Sequence, residues 1–189
     1  MAEIHTIILA AGASSRFGSS KALAAWGGHT FLSQAITTAQ VIGSHVLVVT
    51  GAHHASLLAH LTVPFVYNEH WESGMGSSIA CGIAALPESA AMAILLPVDQ
   101  PLVDTAHLEK LVEAATRSGK AAFTQQGNII GPPIALPRAY FELALSLTGD
   151  AGLKRMITVD DMVTVASTVA LTDIDTPADL KNLSAKLQA

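Results

Sequence analysis

The sequence has very little of the residue types that mark secreted, zinc-binding and nucleic-acid-binding proteins. Cys81 is the only cysteine among 189 residues. It excludes an internal disulfide, agrees with a reducing compartment and is expected to be a core residue, and no Cys/His spacing resembles a zinc site. The formal net charge is −5 at pH 7. Because surfaces that bind nucleic acid or anionic membranes are typically basic, we expect neither as a partner.

Long hydrophobic runs and a basic N-terminal region are also missing. The longest apolar runs, "TIILAA" (6–11) and "AAMAILLPV" (90–98), fall far short of the about 20 residues that a membrane-spanning helix needs. The opening "MAEIH" contains no Lys or Arg, and the apolar stretch after it leads into a Gly/Ser loop instead of a cleavage site. We therefore expect a cytoplasmic protein without a membrane partner.

What the sequence does contain is a high proportion of small and apolar residues. Half of the residues are hydrophobic and 13% are charged, which is typical of a compact globular protein. The length suits one domain, predicted to span residues 1–189.

Apolar strand-like runs alternate with stretches of helical periodicity. The predicted strands are Ile4 to Leu9, His45 to Thr50, Pro64 to Tyr67, Met92 to Val98, Ala121 to Thr124 and Met162 to Ala166. The predicted helices are Phe31 to Ile42, Ala55 to Leu61, Ser77 to Leu86, Ala106 to Arg117, Pro137 to Leu147, a short one ending at Ile157, and one that starts at Pro177 with Thr176 as its cap. Several strands are continuously apolar, as in parallel sheets covered by helices on both faces. The predicted fold class is α/β, a three-layer α/β/α sandwich with a Rossmann-like, mostly parallel sheet.

In such sheets ligands bind beyond the carboxyl ends of the strands, which singles out the loops after Leu9, Tyr67 and Val98. The first loop contains Arg16 and Lys21, the only Lys or Arg residues before position 110. Gly and Ser residues leave its backbone N–H groups accessible, so the loop favours phosphate binding over the alternative of a tight connection. Its spacing matches neither the Walker loop nor the GxGxxG fingerprint.

The second and third loops add polar groups at the same sheet edge. In "NEHWESGMGSSIACG", Gly74, Ser77 and Ser78 lead into a helix, either as ligand contacts or with Ser77 acting only as the N-cap. Trp71 is expected to be a packing residue. In "LLPVDQPLV", Asp99 directly follows a buried strand, where a carboxylate facing a phosphate loop is placed to hold Mg²⁺, although a solvated turn is the alternative.

Two further groups of residues are candidate metal ligands by residue type. Asp173 and Asp175 in "TDIDTPADL" are either a second acidic contribution to the metal site or turn residues. His53, His54 and His60 are not expected to bind a metal, because adjacent histidines at a helix start rarely converge on one ion.

Taken together and in this order, the motifs resemble those of the molybdopterin-guanine-dinucleotide synthase-like nucleotidyltransferase superfamily. The resemblance spans nearly the whole chain. It is carried by "LAAGASSRFGSSK" (9–21), "NEHWESGMGSSIACGI" (68–83), "VDQP" (98–101), "GPPIAL" (131–136), "LTGDAGLKRMI" (147–157) and "DIDTPADL" (173–180). The "LAAG", "GMGSS", "DQP" and "GD-G" segments look most like those of the molybdenum cofactor cytidylyltransferases. The resemblance therefore implies a nucleotide-diphospho-sugar transferase type of fold and transfer of CMP from CTP to molybdopterin cofactor.

The resemblance also implies a role for each motif. Lys21, Arg16 and Asp99 would be catalytic, and Mg²⁺ would be held by Asp99 and Asp175. The nucleotide would be bound by Leu9, Ala10, Ala11, Gly12, Ser14, Ser15, Arg16, Lys21, Gly74, Ser77, Ser78 and Asp99. The acceptor would be bound by Gly131, Pro132, Pro133, Gly149 and Asp150. A molybdenum hydroxylase would be the recipient of the product.

Two alternatives to this function remain at the level of sequence. A nucleotidyltransferase acting on a sugar phosphate or another phosphorylated acceptor would use the same phosphate loop and metal carboxylate. A non-catalytic protein that delivers cofactor would bind the same ligands without releasing pyrophosphate.

Overall fold

The structure is a computed structural model that describes residues 3–168 and 171–186. Its strands are β1 (Glu3–Ala10), β2 (Ala25–Trp26), β3 (His29–Thr30), β4 (His45–Thr50), β5 (Phe65–Tyr67), β6 (Ala90–Pro97), β7 (Ala121–Gln126), β8 (Ile129–Pro137) and β9 (Met162–Ala166). Its α-helices are α1 (Phe31–Val41), α2 (His54–Leu57), α3 (Met75–Ala84), α4 (Thr105–Ser118), α5 (Phe141–Leu145) and α6 (Pro177–Lys186). Short 3₁₀ turns include Lys21–Leu23, Leu58–His60, Trp71–Ser73, Arg138–Tyr140, Leu153–Arg155 and Val159–Asp161.

Seven strands form the central sheet in the order β5-β4-β1-β6-β8-β7-β9. Strands β5, β4, β1 and β6 run parallel to one another, and β7 and β9 are also parallel. Strand β8 lies antiparallel between β6 and β7, while β2 and β3 form a separate two-residue hairpin. The parallel half places the loops after β1 and β6 side by side, because these two strands are direct neighbours.

Helices cover both faces of the sheet and define two apolar cores. On one face, residues of α1, α4 and α6 pack against alternate residues of β1, β4 and β6. On the other face, α3 and α5 pack against the intervening residues of the same strands, with Ile7, Val49 and Leu95 among them. Alternation of side chains along each strand explains why the strands read as continuously apolar: both of their faces are buried. The expected three-layer, mostly parallel α/β/α fold is confirmed.

The helix ends agree with the sequence in most places. Asp104 accepts a hydrogen bond from the His107 N–H at 2.8 Å and caps α4, and Gly119 ends that helix in the left-handed conformation. At α6 the N–H of Asp179 donates to the Thr176 hydroxyl, and the Asp179 carboxylate accepts from the Thr176 N–H. This reciprocal pair is a capping box, so Thr176 caps the helix as expected.

Strand β8 is the main element that the sequence did not predict. Gly131, Pro132 and Pro133 interrupt its apolar pattern and are typical of a turn. In the structure the pairing with β7 is irregular at this point: it passes from Ile134 opposite Phe123 to Gly131 opposite Thr124, and the prolines fall in the gap. The pairing with β6 begins only at Ile134. Both prolines therefore lie where β8 is paired with neither neighbouring strand, so a missing proline N–H leaves no pairing position unfilled.

Cys81 lies only at the margin of the core, and Ser77 does not have the capping role that was one of its two alternatives. Cys81 is half-buried: it packs against the core that α3 and α5 cover, and it also lines a surface groove. Ser77 does not cap α3, since the N-cap is Gly74 and the helix begins at Met75. Within the two described ranges, no helix is long and apolar enough to span a membrane.

Candidate active site

The loop after β1 forms a compact turn that is also hydrogen-bonded to the residue before α2. The N–H groups of Phe17 and Gly18 donate to the main-chain oxygen of Ser14, and the N–H of Lys21 donates to its hydroxyl. Ser14 has a φ of 51°, and Gly18 one of 78°. His53 lies within hydrogen-bonding distance, 2.8 Å, of the Ala13 carbonyl oxygen. Hydrogen bonds therefore hold both ends of the turn, at Ala13 and at Lys21.

Lys21 is the centre of the site. Only 8% of the residue is exposed, and its ammonium donates to Asp99 Oδ2 at 2.8 Å and to Asp175 Oδ1 at 2.9 Å. One carboxylate comes from the loop after β6 and the other from the segment before α6, so residues that are 78 and 154 positions from Lys21 along the chain meet on its ammonium group.

The charges of these three groups stabilise one another. Burial alone lowers the pKa of Lys21, but the charges of Asp99 and Asp175 and their hydrogen bonds outweigh burial, so that its pKa is raised above the ordinary value. The hydrogen bond from Lys21 is the main reason that the pKa of Asp175 is lowered. The site therefore holds a full positive charge between carboxylates at neutral pH.

This arrangement predicts how stability depends on pH in the metal-free protein. The lowered pKa of Asp175 stabilises the fold above its ordinary pKa of about 3.9, and that contribution is lost as the pH falls through the lowered value. The raised pKa of Lys21 stabilises the fold below about 10.4, and that contribution is lost as the pH rises through the raised value. We expect the difference in unfolding free energy between wild type and Lys21→Met, measured by urea denaturation, to be greatest between about pH 5 and 9. A difference that stays constant from pH 2 to 9 would contradict this coupling.

Arg16 is the second cation of the loop and is far more exposed. Its side chain is 73% exposed, and its guanidinium lies 2.9 Å from Asp175 Oδ2. Asp175 thus has one oxygen on Lys21 and the other on Arg16. Because the Arg16 pair is open to solvent, it contributes little to stability.

The first turn of α3 contributes small residues in close contact with a late loop. The N–H of Gly76 donates to the Gly149 main-chain oxygen at 2.8 Å. A Cβ at Gly76 would lie 2.8 Å from that oxygen, and one at Gly74, whose φ is 117°, would lie 2.6 Å from the Gly149 carbonyl carbon. A larger residue at either position would push the late loop away. Residues 148–151 therefore pack directly against the "GMG" segment, and this close contact requires small residues there.

A buried asparagine connects the two serines that follow this segment. The side-chain amide of Asn68 donates to Ser77 at 2.9 Å and to Ser78 at 3.0 Å, and its Oδ1 accepts from the His70 N–H. Ser77 in turn donates to the main-chain oxygens of His70 and Gly74. This network fixes the start of α3, and the sequence motif gave no sign that Asn68 would organise it.

The three loops enclose a cavity of about 380 Å³. Its walls are Leu9, Ala10, Ala11, Gly12, Ala13, Ser14, Ser20, Lys21, Ala22, Trp71, Glu72, Gly74, Met75, Ser78, Pro97, Val98, Asp99 and Asp150. A smaller adjoining hollow of about 150 Å³ is lined by Ser14, Ser15, Arg16, Lys21 and Asp175. The two share Ser14 and Lys21, so the structure brings together most of the residues expected to contact nucleotide and metal.

Five of the expected residues lie outside these two cavities. Ser77 and Gly149 line a separate apolar groove of about 690 Å³ between α3 and α5. Pro132 and Pro133 belong to β8, as does Gly131, whose nearest neighbour at the Cβ position is Leu171. Of the residues expected at the acceptor, Asp150 alone lines the large cavity. Trp71, expected to be a packing residue, both packs against the core and forms part of the cavity wall.

The carboxylates suit a divalent cation that is completed by a substrate. Asp99 and Asp175 already converge on one cation, the ammonium of Lys21, with oxygens at 2.8 and 2.9 Å. In the chain as described, no group of three or more His, Cys, Asp or Glu side chains is arranged to hold a metal. Two carboxylates supplemented by phosphate oxygens and water are the usual environment of Mg²⁺.

Comparison with known proteins places the chain in a family. Residues 6–165 match the MobA-like NTP transferase domain. The chain is 29% identical to nicotine blue oxidoreductase of Paenarthrobacter nicotinovorans over 94% of both chains. It is 24% identical to molybdenum cofactor cytidylyltransferase of Escherichia coli K12 over 95% of this chain and 94% of the relative.

Solved structures share the fold. Rv0371c of Mycobacterium tuberculosis H37Rv superposes with a TM-score of 0.84, with 24% identity over 97% of both chains. Its complex with manganese superposes with a TM-score of 0.81, with 21% identity over 97% of this chain and 98% of that one. The family match covers the β1 loop, the start of α3 and Asp99, which supply most of the cavity wall. The chain belongs to the MobA-like NTP transferase family and is a nucleotidyltransferase.

Proposed function

We propose that the protein transfers CMP from CTP to the phosphate of molybdenum cofactor and releases pyrophosphate. The observation that carries this proposal is the ammonium of Lys21, held between Asp99 and Asp175 at the edge of a cavity lined by the β1 loop. A buried cation beside two carboxylates suits a site that takes a phosphate chain together with a divalent metal. The similarity to molybdenum cofactor cytidylyltransferase over nearly the full chain supports the choice of substrates.

In this proposal the nucleotide lies along the large cavity. Backbone N–H groups and hydroxyls of residues 10–21 face the triphosphate, and Arg16 holds the β- and γ-phosphates. The ribose and base lie toward Gly74 and Ser78, on the other side of the cavity. Ser77 acts through the network around Asn68, because its hydroxyl is bonded there and its exposed side faces the neighbouring groove.

Asp99 and Asp175 would hold Mg²⁺, and when bound this ion neutralises charge on the phosphate oxygens. Lys21 then has one role in the nucleotide-free protein and another when nucleotide is bound. Without nucleotide it satisfies both carboxylates, and with nucleotide its ammonium donates to an oxygen of the α-phosphate, where negative charge increases in the transition state. A lysine suits both roles because its ammonium is a compact charge on a flexible stem.

The reaction needs no general base from the protein. An oxygen of the acceptor phosphate attacks the α-phosphorus, and the bond from that phosphorus to the bridging oxygen breaks. The electron pair leaves on pyrophosphate. A phosphate monoester has its second pKa near 6, so the attacking oxygen is already largely anionic at neutral pH. The contribution of the protein is therefore positioning and charge neutralisation.

The acceptor is proposed to contact Asp150 and Gly149 of the late loop and the β8 segment from Gly131 to Pro133. Asp150 adjoins the nucleotide cavity, and the late loop is seated on α3 through Gly76. We further propose a cytoplasmic location and a molybdenum hydroxylase as the recipient of the product.

The test is to incubate the protein with Mg²⁺, each of the four nucleoside triphosphates and either molybdenum cofactor or a sugar phosphate. Pyrophosphate is measured, and the product is identified by mass spectrometry. The proposal expects molybdopterin cytosine dinucleotide and an equal amount of pyrophosphate with CTP. A guanine product, or pyrophosphate release only with a sugar phosphate, would overturn the substrate assignment. Tight binding of cofactor without pyrophosphate release would instead identify a delivery protein.

A redox activity is the second candidate, because the relative named nicotine blue oxidoreductase matches the chain along its length. Such an activity requires a reductant, so the same protein is incubated with reduced nicotinamide cofactors and a quinone-like dye. Oxidation of the nicotinamide, combined with no pyrophosphate release under any of the conditions above, would favour this candidate over nucleotidyl transfer.

A further inference from the structure

The residue directly after Asp99 is a buried amide with one oxygen left without a partner. Gln100 is 6% exposed, and its Nε2 donates to Asp173 Oδ1 at 2.9 Å. Its Oε1 is buried and has no hydrogen-bond partner among the residues that the structure describes. A buried polar atom without a partner costs stability, and an apolar side chain of similar size would avoid that cost. The hydrogen bond to Asp173 is therefore the one contact within the described residues that favours an amide at this position.

The hydrogen bond to Asp173 joins the two segments that supply the metal-binding carboxylates. The main-chain N–H of Ile174 donates to the main-chain oxygen of Asp99 at 3.0 Å, and Ile174 is 1% exposed within the core. Residues 99 and 100 are thus joined to residues 173 and 174 by one main-chain and one side-chain bond. Asp175 follows immediately after this pair of bonds.

Asp173 and Asp175 lie in different surroundings although they are two positions apart. Both oxygens of Asp175 face cations, Lys21 on one side and Arg16 on the other. Asp173 faces an amide donor instead.

We propose that Gln100 and Asp173 are a positioning pair that holds Asp175 opposite Asp99, and that Asp173 is not itself a metal ligand. This inference rests on the proposed function and deepens it, since it separates the two acidic residues that the sequence left as alternatives. Partners of this kind, which orient metal ligands without touching the metal, commonly affect metal affinity about tenfold or more when removed.

The test measures binding of Mn²⁺ as a probe for the divalent site, by electron paramagnetic resonance in the presence of a non-hydrolysable CTP analogue. Wild type is compared with Gln100→Leu, Asp173→Ala, Asp173→Asn and Asp175→Asn. Asparagine keeps an oxygen that can accept from Gln100, so it retains the positioning bond while removing the charge that a ligand would need. Thermal unfolding of each variant is recorded in parallel.

We expect Asp173→Asn to bind Mn²⁺ nearly as well as wild type, and Gln100→Leu and Asp173→Ala to bind it roughly tenfold more weakly. At saturating metal the turnover of these two variants returns toward that of wild type. The unfolding temperature of Gln100→Leu is expected to stay close to that of wild type, because the lost hydrogen bond to Asp173 is offset by removal of the unpartnered buried oxygen. A purely structural role would instead lower the unfolding temperature and leave Mn²⁺ affinity unchanged.

Two results would overturn this inference and leave the proposed function intact. If Asp173→Asn weakens Mn²⁺ binding as much as Asp175→Asn does, Asp173 is a ligand. If Gln100→Leu and Asp173→Ala bind Mn²⁺ like wild type, the pair positions nothing. A wild-type protein that binds no Mn²⁺ with the CTP analogue would overturn the proposed function and this inference together.

Discussion

Replacing Lys21 with alanine is expected to lower the rate of pyrophosphate release by about a hundredfold to a thousandfold while leaving the protein folded. The ammonium that neutralises the α-phosphate in the proposed transition state is lost, and among the residues that the structure describes no other lysine lines the two cavities. The fold is expected to survive because both apolar cores are built from other residues. The measurement is single-turnover pyrophosphate release at saturating CTP and Mg²⁺.

Lys110→Ala is the matched control for this prediction, since it removes an exposed lysine from α4. Circular dichroism of both variants checks the fold. Pyrophosphate release by Lys21→Ala at the rate of the control would show that the buried lysine has no part in catalysis and serves only to satisfy Asp99 and Asp175.

Asp99→Asn is expected to have the second large effect, a loss of several kcal/mol of transition-state stabilisation, or roughly a hundredfold to a thousandfold in turnover. Asparagine has the shape of aspartate but lacks the charge that a divalent cation needs. It also removes one of the two carboxylates that hold Lys21 in place. Turnover is measured over a range of Mg²⁺ concentrations, and the half-saturating concentration is expected to rise.

The neighbouring Asp104 supplies a control of the same chemistry. Asp104→Asn makes the same substitution five residues later, at the cap of α4, where asparagine serves about as well as aspartate. It should retain wild-type turnover and Mg²⁺ dependence. An Asp99→Asn enzyme that responds to Mg²⁺ as this control does would exclude Asp99 from the metal site.

The parallel half of the sheet could be predicted from the sequence because local pattern and final environment agree there. The runs that became β1, β4 and β6 are apolar on both faces, and both faces are indeed covered by helices. Strand β8 could not be predicted, because Gly131, Pro132 and Pro133 interrupt its pattern at the point where its pairing is irregular. That irregularity depends on β6 and β7, and a local pattern carries no information about them.

The candidate site, like the fold, could be predicted from the sequence only in part. The isolation of Arg16 and Lys21 in a Gly/Ser loop marked it as a place where charge matters. What the sequence could not show is that Lys21 is buried between Asp99 and Asp175, since three distant segments must fold before the charges meet. Nor could the "GMG" motif indicate that its glycines pack against the loop at Gly149, because this close backbone contact forms only when the distant segments fold together.

The proposed reaction transfers the α-phosphoryl group of CTP, together with its nucleoside, to a phosphorylated acceptor. The most direct measurement follows radioactive phosphate in two parallel reactions with molybdenum cofactor and Mg²⁺. With CTP labelled in the α-phosphate, we expect the label in the dinucleotide; with CTP labelled in the γ-phosphate, we expect it in pyrophosphate. Label from the γ-phosphate in free phosphate or in the organic product, or no transfer of the α-label, would contradict the account.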